Sequence, residues 1–186
     1  MMLVVGLAGR IAAGKGEAAK YLSEKRGARV VRFSDILKDV LEVLSLPNTR
    51  PNLQALGSTL RAGFGDRILV DAMRKRIEKT ASPFVIVDGV RYKEEADLIR
   101  SFKKNTLIFI DAPLKIRYQR VISRGTRGEA KITLEEFRKS DEQETEASLE
   151  AIKKTADKVI ENTSALKDFQ NAIDATLSKL TRKKAS

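Results

Sequence analysis

The 186-residue chain predicts an α/β fold, a parallel sheet covered by helices on both faces, on three observations. Short runs of strand formers alternate with longer stretches of helical spacing. The runs VVG, VIV and LIFI are apolar throughout, as in strands buried on both faces. A glycine-rich turn follows the first run directly and opens a helix. The length predicts one domain over residues 1–186.

Leu3 to Leu7 is the first strand, and a helix from about Lys15 to Lys25 carries Ala18, Ala19 and Leu22 on one side. Arg29 to Phe33 is the second strand, with Ser34 and Asp35 as cap residues for a helix over Asp35 to Leu46 that Pro47 ends. Pro51 opens a helix that stops before Gly63 and Gly65, and Asp66 caps the next, to about Lys79. Phe84 to Val87 is the third strand, Tyr92 to Lys103 a helix and Thr106 to Ile110 the fourth strand. Leu114 to Arg124 is helical, and Gly125 to Lys131 is a polar loop. Thr133 with Glu136 three residues on forms a capping box. The helix behind it, with a break near Ser140, runs to about Lys154. Lys158 to Ile160 is a fifth strand, Ala165 to Leu180 a closing helix, and 181–186 a frayed basic tail.

Composition excludes several chemistries. Cys is 0, which removes disulfides, thiolate catalysis and Cys-ligated metals. His is 0, which removes a His base, a Ser-His-Asp triad and His metal sites. Trp is 0 and aromatics are 5%, so stacking platforms for single-stranded nucleic acid have little material. No apolar run approaches the roughly 20 residues that span a bilayer. The MMLVVGLAG start lacks a basic n-region. A cytoplasmic protein without a membrane partner is expected. The net charge of +11 suits anionic partners, nucleotides above all; it permits nucleic acid without selecting it.

Four features carry chemistry. Gly9-Arg10-Ile11-Ala12-Ala13-Gly14-Lys15 fits G-x-x-x-x-G-K between a strand and a helix. Its backbone N–H groups and the helix dipole suit phosphates, and Lys15 reaches the β- and γ-phosphates as a mobile charge. The next residue is Gly16 where a Mg²⁺-binding hydroxyl is usual. Glu17 then either touches Mg²⁺ through water or simply favours the helix N-terminus, the second reading leading. Asp88, at the carboxyl end of the third strand, is placed to hold the hydration shell of Mg²⁺, and Gly89 beside it allows a close backbone approach. Arg117, Arg120, Arg124 and Arg127 fall within eleven residues, with Arg138 later, which suits a mobile arginine lid over a transferring phosphoryl group. In TRPNLQALGSTLR, Arg50, Gln54, Gly57 and Arg61 share one helical stripe beside an apolar stripe of Leu53, Leu56 and Leu60. Two arginines, an amide and a glycine that leaves room suit an anionic acceptor.

These segments resemble the P-loop nucleotide kinases, specifically the group of dephospho-CoA kinases, deoxynucleoside monophosphate kinases and adenylate-kinase-like archaeal proteins. GLAGRIAAGKGEAA resembles their phosphate loop. TRPNLQALGSTLR and DGVRYKEEADLIR resemble stretches of the deoxynucleoside monophosphate kinases. RFSDILKDVL and ADKVIENTSALKDFQNAID resemble the acceptor-side turn and closing segment of the dephospho-CoA kinases. The resemblance implies a three-layer P-loop fold with a five-stranded parallel sheet and an Arg-bearing lid. It implies ATP on Gly9, Ala12, Ala13, Gly14, Lys15, Gly16 and Glu17, lid contacts from Arg120, Arg124 and Arg127, and Asn162 near the adenine. Mg²⁺ would sit at Asp88, through water. Asp35, Arg50, Gln54, Arg61, Asp88, Gly89 and Arg91 would face the acceptor, within an acceptor region about 35–80 and a lid about 120–140. Lys15, Asp35, Asp88, Arg120 and Arg124 are the expected catalytic residues. The chain departs from the pattern with Phe33 before Asp35 where dephospho-CoA kinases carry two acids, and with Arg91 following Asp88-Gly89-Val90 without a proline. A nucleoside or deoxynucleoside monophosphate leads as acceptor, followed by dephospho-CoA and then by an ATPase switch acting on a protein or nucleic acid.

Overall fold

The computed structural model describes residues 1–124, 132–143 and 146–182. Five parallel strands lie in the order β2-β3-β1-β4-β5. They are β1 (Leu3–Ala8), β2 (Arg29–Arg32), β3 (Phe84–Val90), β4 (Lys104–Asp111) and β5 (Lys158–Glu161). Alternate residues of β1 serve opposite layers. Val4 and Ala8 join a core with α2 (Phe33–Val43), α4 (Ile68–Glu78), α5 (Lys93–Arg100) and α8 (Glu146–Thr155). Val5 and Leu7 join a second core with α1 (Lys15–Arg26) and α9 (Leu166–Arg182). This is the expected sheet with helices on both faces, in the strand order of a P-loop fold. Gly6 belongs to the first face, where a Cβ would lie 2.9 Å from side-chain atoms of Ile99 and Leu107.

Helix α3 (Arg50–Phe64) leans its apolar stripe of Leu53, Leu56 and Leu60 on the first core. Thr49 caps it, accepting from Asn52 N at 3.3 Å. Helix α6 (Leu114–Arg124) leads to the residues beyond 124, and α7 (Leu134–Gln143) starts with the expected capping box. There Thr133 N donates to Glu136 Oε2 at 2.7 Å and Glu136 N to Thr133 Oγ1 at 3.2 Å.

Several boundaries differ from expectation. Helix α2 begins at Phe33, whose buried ring ties the turn to the core, so Asp35 stands in the first turn rather than at the cap. It ends at Val43, before Pro47, because Ser45 adopts φ 55. Ser45 N then bonds Glu42 O and Leu46 N bonds Leu41 O, which closes the last turn in the pattern usually built on glycine. Arg67, not Asp66, precedes α4. Helix α5 stops at Arg100 and β4 starts at Lys104, where pairing with Leu3 of β1 claims the chain. The expected division near Ser140 falls slightly later, with α7 ending at Gln143 and α8 beginning at Glu146, and α9 extends through Arg182, into the expected tail.

Candidate functional site

The strands end on one edge, and function collects at such carboxyl ends. Leu7 pairs with Asp88 and Ala8 with Val90, so Gly89 is an extra residue in β3. It takes φ 94, and no atom lies within 4 Å of where a Cβ would stand. Asp88 is thus held on the strand while the backbone beside it stays open. Arg32, its cross-strand partner, donates from Nε to Asp88 Oδ2 at 2.9 Å.

The loop from Gly9 to Gly14 leads from β1 into α1. Gly9 has φ 137, and a Cβ there would lie 2.1 Å from Ile110 O, a backbone atom that cannot yield. Gly14 has φ 120, and a Cβ there would meet Asn162 Nδ2 at 2.2 Å. Ala12 holds φ 59 without glycine's freedom.

Side chains hold the carbonyls of this loop. Lys15 Nζ donates to Gly9 O at 2.6 Å and to Arg10 O at 2.8 Å. Arg117 Nη1 donates to Ile11 O at 3.3 Å. Arg120 Nη1 donates to Ala12 O at 3.4 Å and Ala13 O at 3.2 Å, and its Nη2 to Asn162 O at 2.9 Å. Asn162 Nδ2 donates to Ala13 O at 2.8 Å. Five successive carbonyls are therefore engaged by side-chain donors. The first-turn N–H groups of α1 have no intrahelical acceptor and, with the dipole, form an anion seat.

Sequence reasoning missed what anchors those donors. Arg117 is buried, and both its Nη atoms bond the buried carboxylate of Asp141 on α7, at 2.6 and 2.7 Å. Arg10 reaches the same carboxylate at 3.4 Å and Glu150 at 3.5 Å. Arg117 thus supports the loop from within the protein. Burial, then the charge of Arg124, lowers the pKa of Arg120 from its usual value. Arg124 Nε donates to Arg120 O at 3.4 Å. Arg127 and the rest of 125–131 lie outside the described residues.

On the other side of the edge, Asp35 accepts from Lys38 at 2.9 Å. Gln54 is exposed, and Arg50 opens α3 with its side chain outside the described set. Gly57 is buried, and a Cβ there would lie 3.4 Å from both Leu37 Cδ1 and Arg61 Nη1. The glycine lets α3 approach α2 and seats Arg61, which donates to Gly57 O at 3.4 Å. Arg61 stacks 4.6 Å from the Tyr92 ring centroid, with Nη2 3.8 Å from Glu95 Oε1. Glu95 is 3% exposed, and Oε2 accepts from Arg91 N at 2.7 Å and Tyr92 N at 3.4 Å. Burial pushes its carboxyl up to about 7, against those two N–H groups and the charges of Arg61 and Arg91. These residues border a cavity of about 250 Å³ that Asp66, Leu69, Val70 and Glu94 complete. A second cavity, about 200 Å³, lies where β4 and β5 end, against Asp111, Pro113, Glu161 and Thr163. Among the described residues no His/Cys/Asp/Glu group is arranged as a direct metal cage. No helix among them is long and apolar enough to cross a membrane.

A family model described as an AAA domain matches residues 8–138, from the end of β1 through the first half of α7. A UPF0200 protein of Methanoculleus marisnigri is 35% identical over 180 residues, covering 96% of this chain and 97% of its own. The chain belongs to the UPF0200 family. Another UPF0200 protein, from Pyrococcus horikoshii, is 29% identical and covers 97% of both chains. Among solved structures, the shikimate kinase of Acinetobacter baumannii in complex with shikimate has a TM-score of 0.63 at 12% identity, covering 100% of this chain and 97% of that one. TT1252 from Thermus thermophilus has a TM-score of 0.57 at 20% identity, covering 96% and 98%. These likenesses show that the UPF0200 chain has the P-loop kinase-like fold.

Proposed function

We propose that this UPF0200 chain is an ATP-dependent kinase that moves the γ-phosphoryl group to a small nucleotide-like acceptor, first a nucleoside or deoxynucleoside monophosphate. The observation that carries the reading is the loop of residues 9–14, whose carbonyls from Gly9 to Ala13 are engaged by the side chains of Lys15, Arg117, Arg120 and Asn162. Side chains that fix the shape of the loop hold its backbone N–H groups in place for phosphates, and phosphoryl transfer depends on such positioning.

Lys15 and the N–H groups of Ala13 to Gly16 hold the phosphates, with Glu17 behind them as an acidic first-turn residue of α1. Arg120 and Arg124, joined by Arg127, neutralise charge on the transferring group from a lid over about 120–140. The donor base occupies the cavity beside Asn162. Asp88, next to the open backbone of Gly89, suits a hydrated Mg²⁺ better than a direct one, since among the described residues no group of three His, Cys, Asp or Glu side chains could hold a metal directly. When bound there, Mg²⁺ would supply charge neutralisation for the phosphates. The bond from the γ-phosphorus to the β-bridging oxygen breaks as one to the acceptor oxygen forms. A monophosphate acceptor attacks through an ionised oxygen and needs no base. A hydroxyl acceptor gives its proton to Asp35. The acceptor region spans about 35–80, with Arg50, Gln54 and Arg61 on α3, completed by Gly89 and Arg91.

The second reading is a dephospho-CoA kinase, favoured by Asp35 behind β2 and by the β5–α9 segment that resembles that family. A screen of ADP release across ribo- and deoxynucleoside monophosphates and dephospho-CoA separates the two. ADP release stimulated by a monophosphate supports the first, and stimulation by dephospho-CoA alone supports the second. ADP release indifferent to every small acceptor but raised by RNA or a protein supports an ATPase switch and overturns both.

A further inference from the structure

We propose that the cavity between α3, α4 and α5 is the base subsite of the acceptor, and that it selects an amino-bearing nucleobase (adenine, guanine or cytosine) over uracil or thymine, with Glu95 as the reading group. This rests on the kinase reading above and adds to it the class of acceptor.

The lining fits a flat, hydrogen-donating ring. Leu69 and Val70 of α4 supply an apolar wall, and the Tyr92 ring stands at the start of α5. The volume, about 250 Å³, is below the roughly 300–1,000 Å³ of whole small-molecule sites, a size for one ring system. The polar lining is mostly acceptor: the carboxylates of Asp66, Glu94 and Glu95. Arg61 is the cation among the lining residues, and its guanidinium is committed to Gly57 O, the Tyr92 ring and Glu95. A phosphate inside this cavity would face three carboxylates, so the acceptor's phosphate belongs outside it. Arg61 is then a positioning residue that holds Glu95.

Glu95 supplies the specific contact. Its two oxygens are treated differently. Oε2 takes two backbone N–H groups at the start of α5 and is fixed by them. Oε1 has Arg61 Nη2 at 3.8 Å, longer than a hydrogen bond, and so keeps accepting capacity. An acceptor this deeply buried gains most from a donor brought in by a ligand. Adenine N6, cytosine N4 and guanine N1 and N2 bring N–H donors along one edge of the ring. Uracil and thymine flank their single ring N–H with two carbonyl oxygens, which a carboxylate repels. A site built to satisfy a donor rejects the analogue that lacks it, because its own buried group is then left unpaired.

Glu95→Gln is the informative variant. Glutamine also serves at the third position of a helix, so the α5 cap survives while the charge goes. Calorimetric titration at about pH 8 with AMP, GMP, CMP, UMP and TMP, on the full chain, gives the test. At least one amino-base nucleotide should bind about tenfold or more tighter than UMP and TMP. That ratio should fall to about threefold or less in Glu95→Gln, with ATP binding unchanged. The ratio is a readout that a purely structural role would not move. UMP or TMP binding as tightly as the amino-base nucleotides, a ratio kept in Glu95→Gln, or no binding of any mononucleotide each overturns the inference. ADP release is read separately. Equal turnover with all five nucleotides overturns the base selection and leaves the kinase reading standing. No turnover with any acceptor, with the binding ratio intact, overturns the kinase reading instead.

Discussion

The two ends of the sheet edge are built by opposite means. At the donor end, a contiguous loop has carbonyls from Gly9 to Ala13 engaged by Lys15, Arg117, Arg120 and Asn162. At the acceptor end, α3, α4 and α5 leave a cavity beside a buried acid whose Oε1 is only loosely paired. On the proposed kinase reading, the loop is the donor end, shaped by these contacts with Lys15 changing partners when phosphates bind, and the cavity is the acceptor end, completed by a ligand. A kinase needs a rigid grip on the phosphates, the same for every turnover, and a separate surface that decides what receives the phosphoryl group.

Changes that break the donor end should do the most damage. Lys15→Ala removes the mobile charge and should lower turnover by about three orders of magnitude or more, with the circular-dichroism spectrum unchanged. Near-normal turnover would show that the loop does not serve phosphates. Asp141→Ala strands the buried Arg117 and should cost on the order of 3–5 kcal/mol, visible as a lower midpoint in chemical denaturation. The loop should loosen as well, raising KM for ATP more than it lowers kcat.

The acceptor end predicts a pH effect of defined sign. The Glu95 carboxyl titrates near 7 in the folded protein, against about 4.5 ordinarily, so the folded state holds this proton more tightly. The associated stability is complete below about pH 4.5 and is lost as pH rises through about 7. Relative to Glu95→Gln, which does not titrate, the wild-type melting temperature should fall between those limits. A difference that stays flat across the range would mean that Glu95 is solvated. Asp66, Glu94 and Arg61 line the same cavity, the charge of Arg91 also acts on Glu95, and all four remain in both proteins. The smallest effect is expected at Gly16, which has no positive φ and no atom within 4 Å of where a Cβ would stand. Gly16→Ser should fold normally, keep turnover within a few-fold, and lower the Mg²⁺ concentration for half-maximal rate by adding the customary hydroxyl.

Legibility in the sequence follows the same division. The three central strands carry continuous apolar runs and the phosphate loop is one short motif, so both can be read locally. Glu95 cannot, because an acid in the first turn of a helix looks alike whether solvated or buried; only the packing of α3 and α4 hides this one. Asp141 cannot either, since its partner Arg117 lies 24 residues earlier and a run of arginines alone reads as a solvated face. Gly57 was legible as an exception, a glycine inside a helix, and its structural role is the close approach of α3 to Leu37. The early end of α2 escaped because Ser45 takes a left-handed conformation that residue preferences assign to glycine.

The most direct measurement is a crystal structure with a non-hydrolysable ATP analogue and Mg²⁺. The account predicts the β- and γ-phosphates on the N–H groups that open α1, with Lys15 Nζ moved from the carbonyls of Gly9 and Arg10 onto phosphate oxygens. An analogue bound elsewhere, with Lys15 still on those carbonyls, would contradict it.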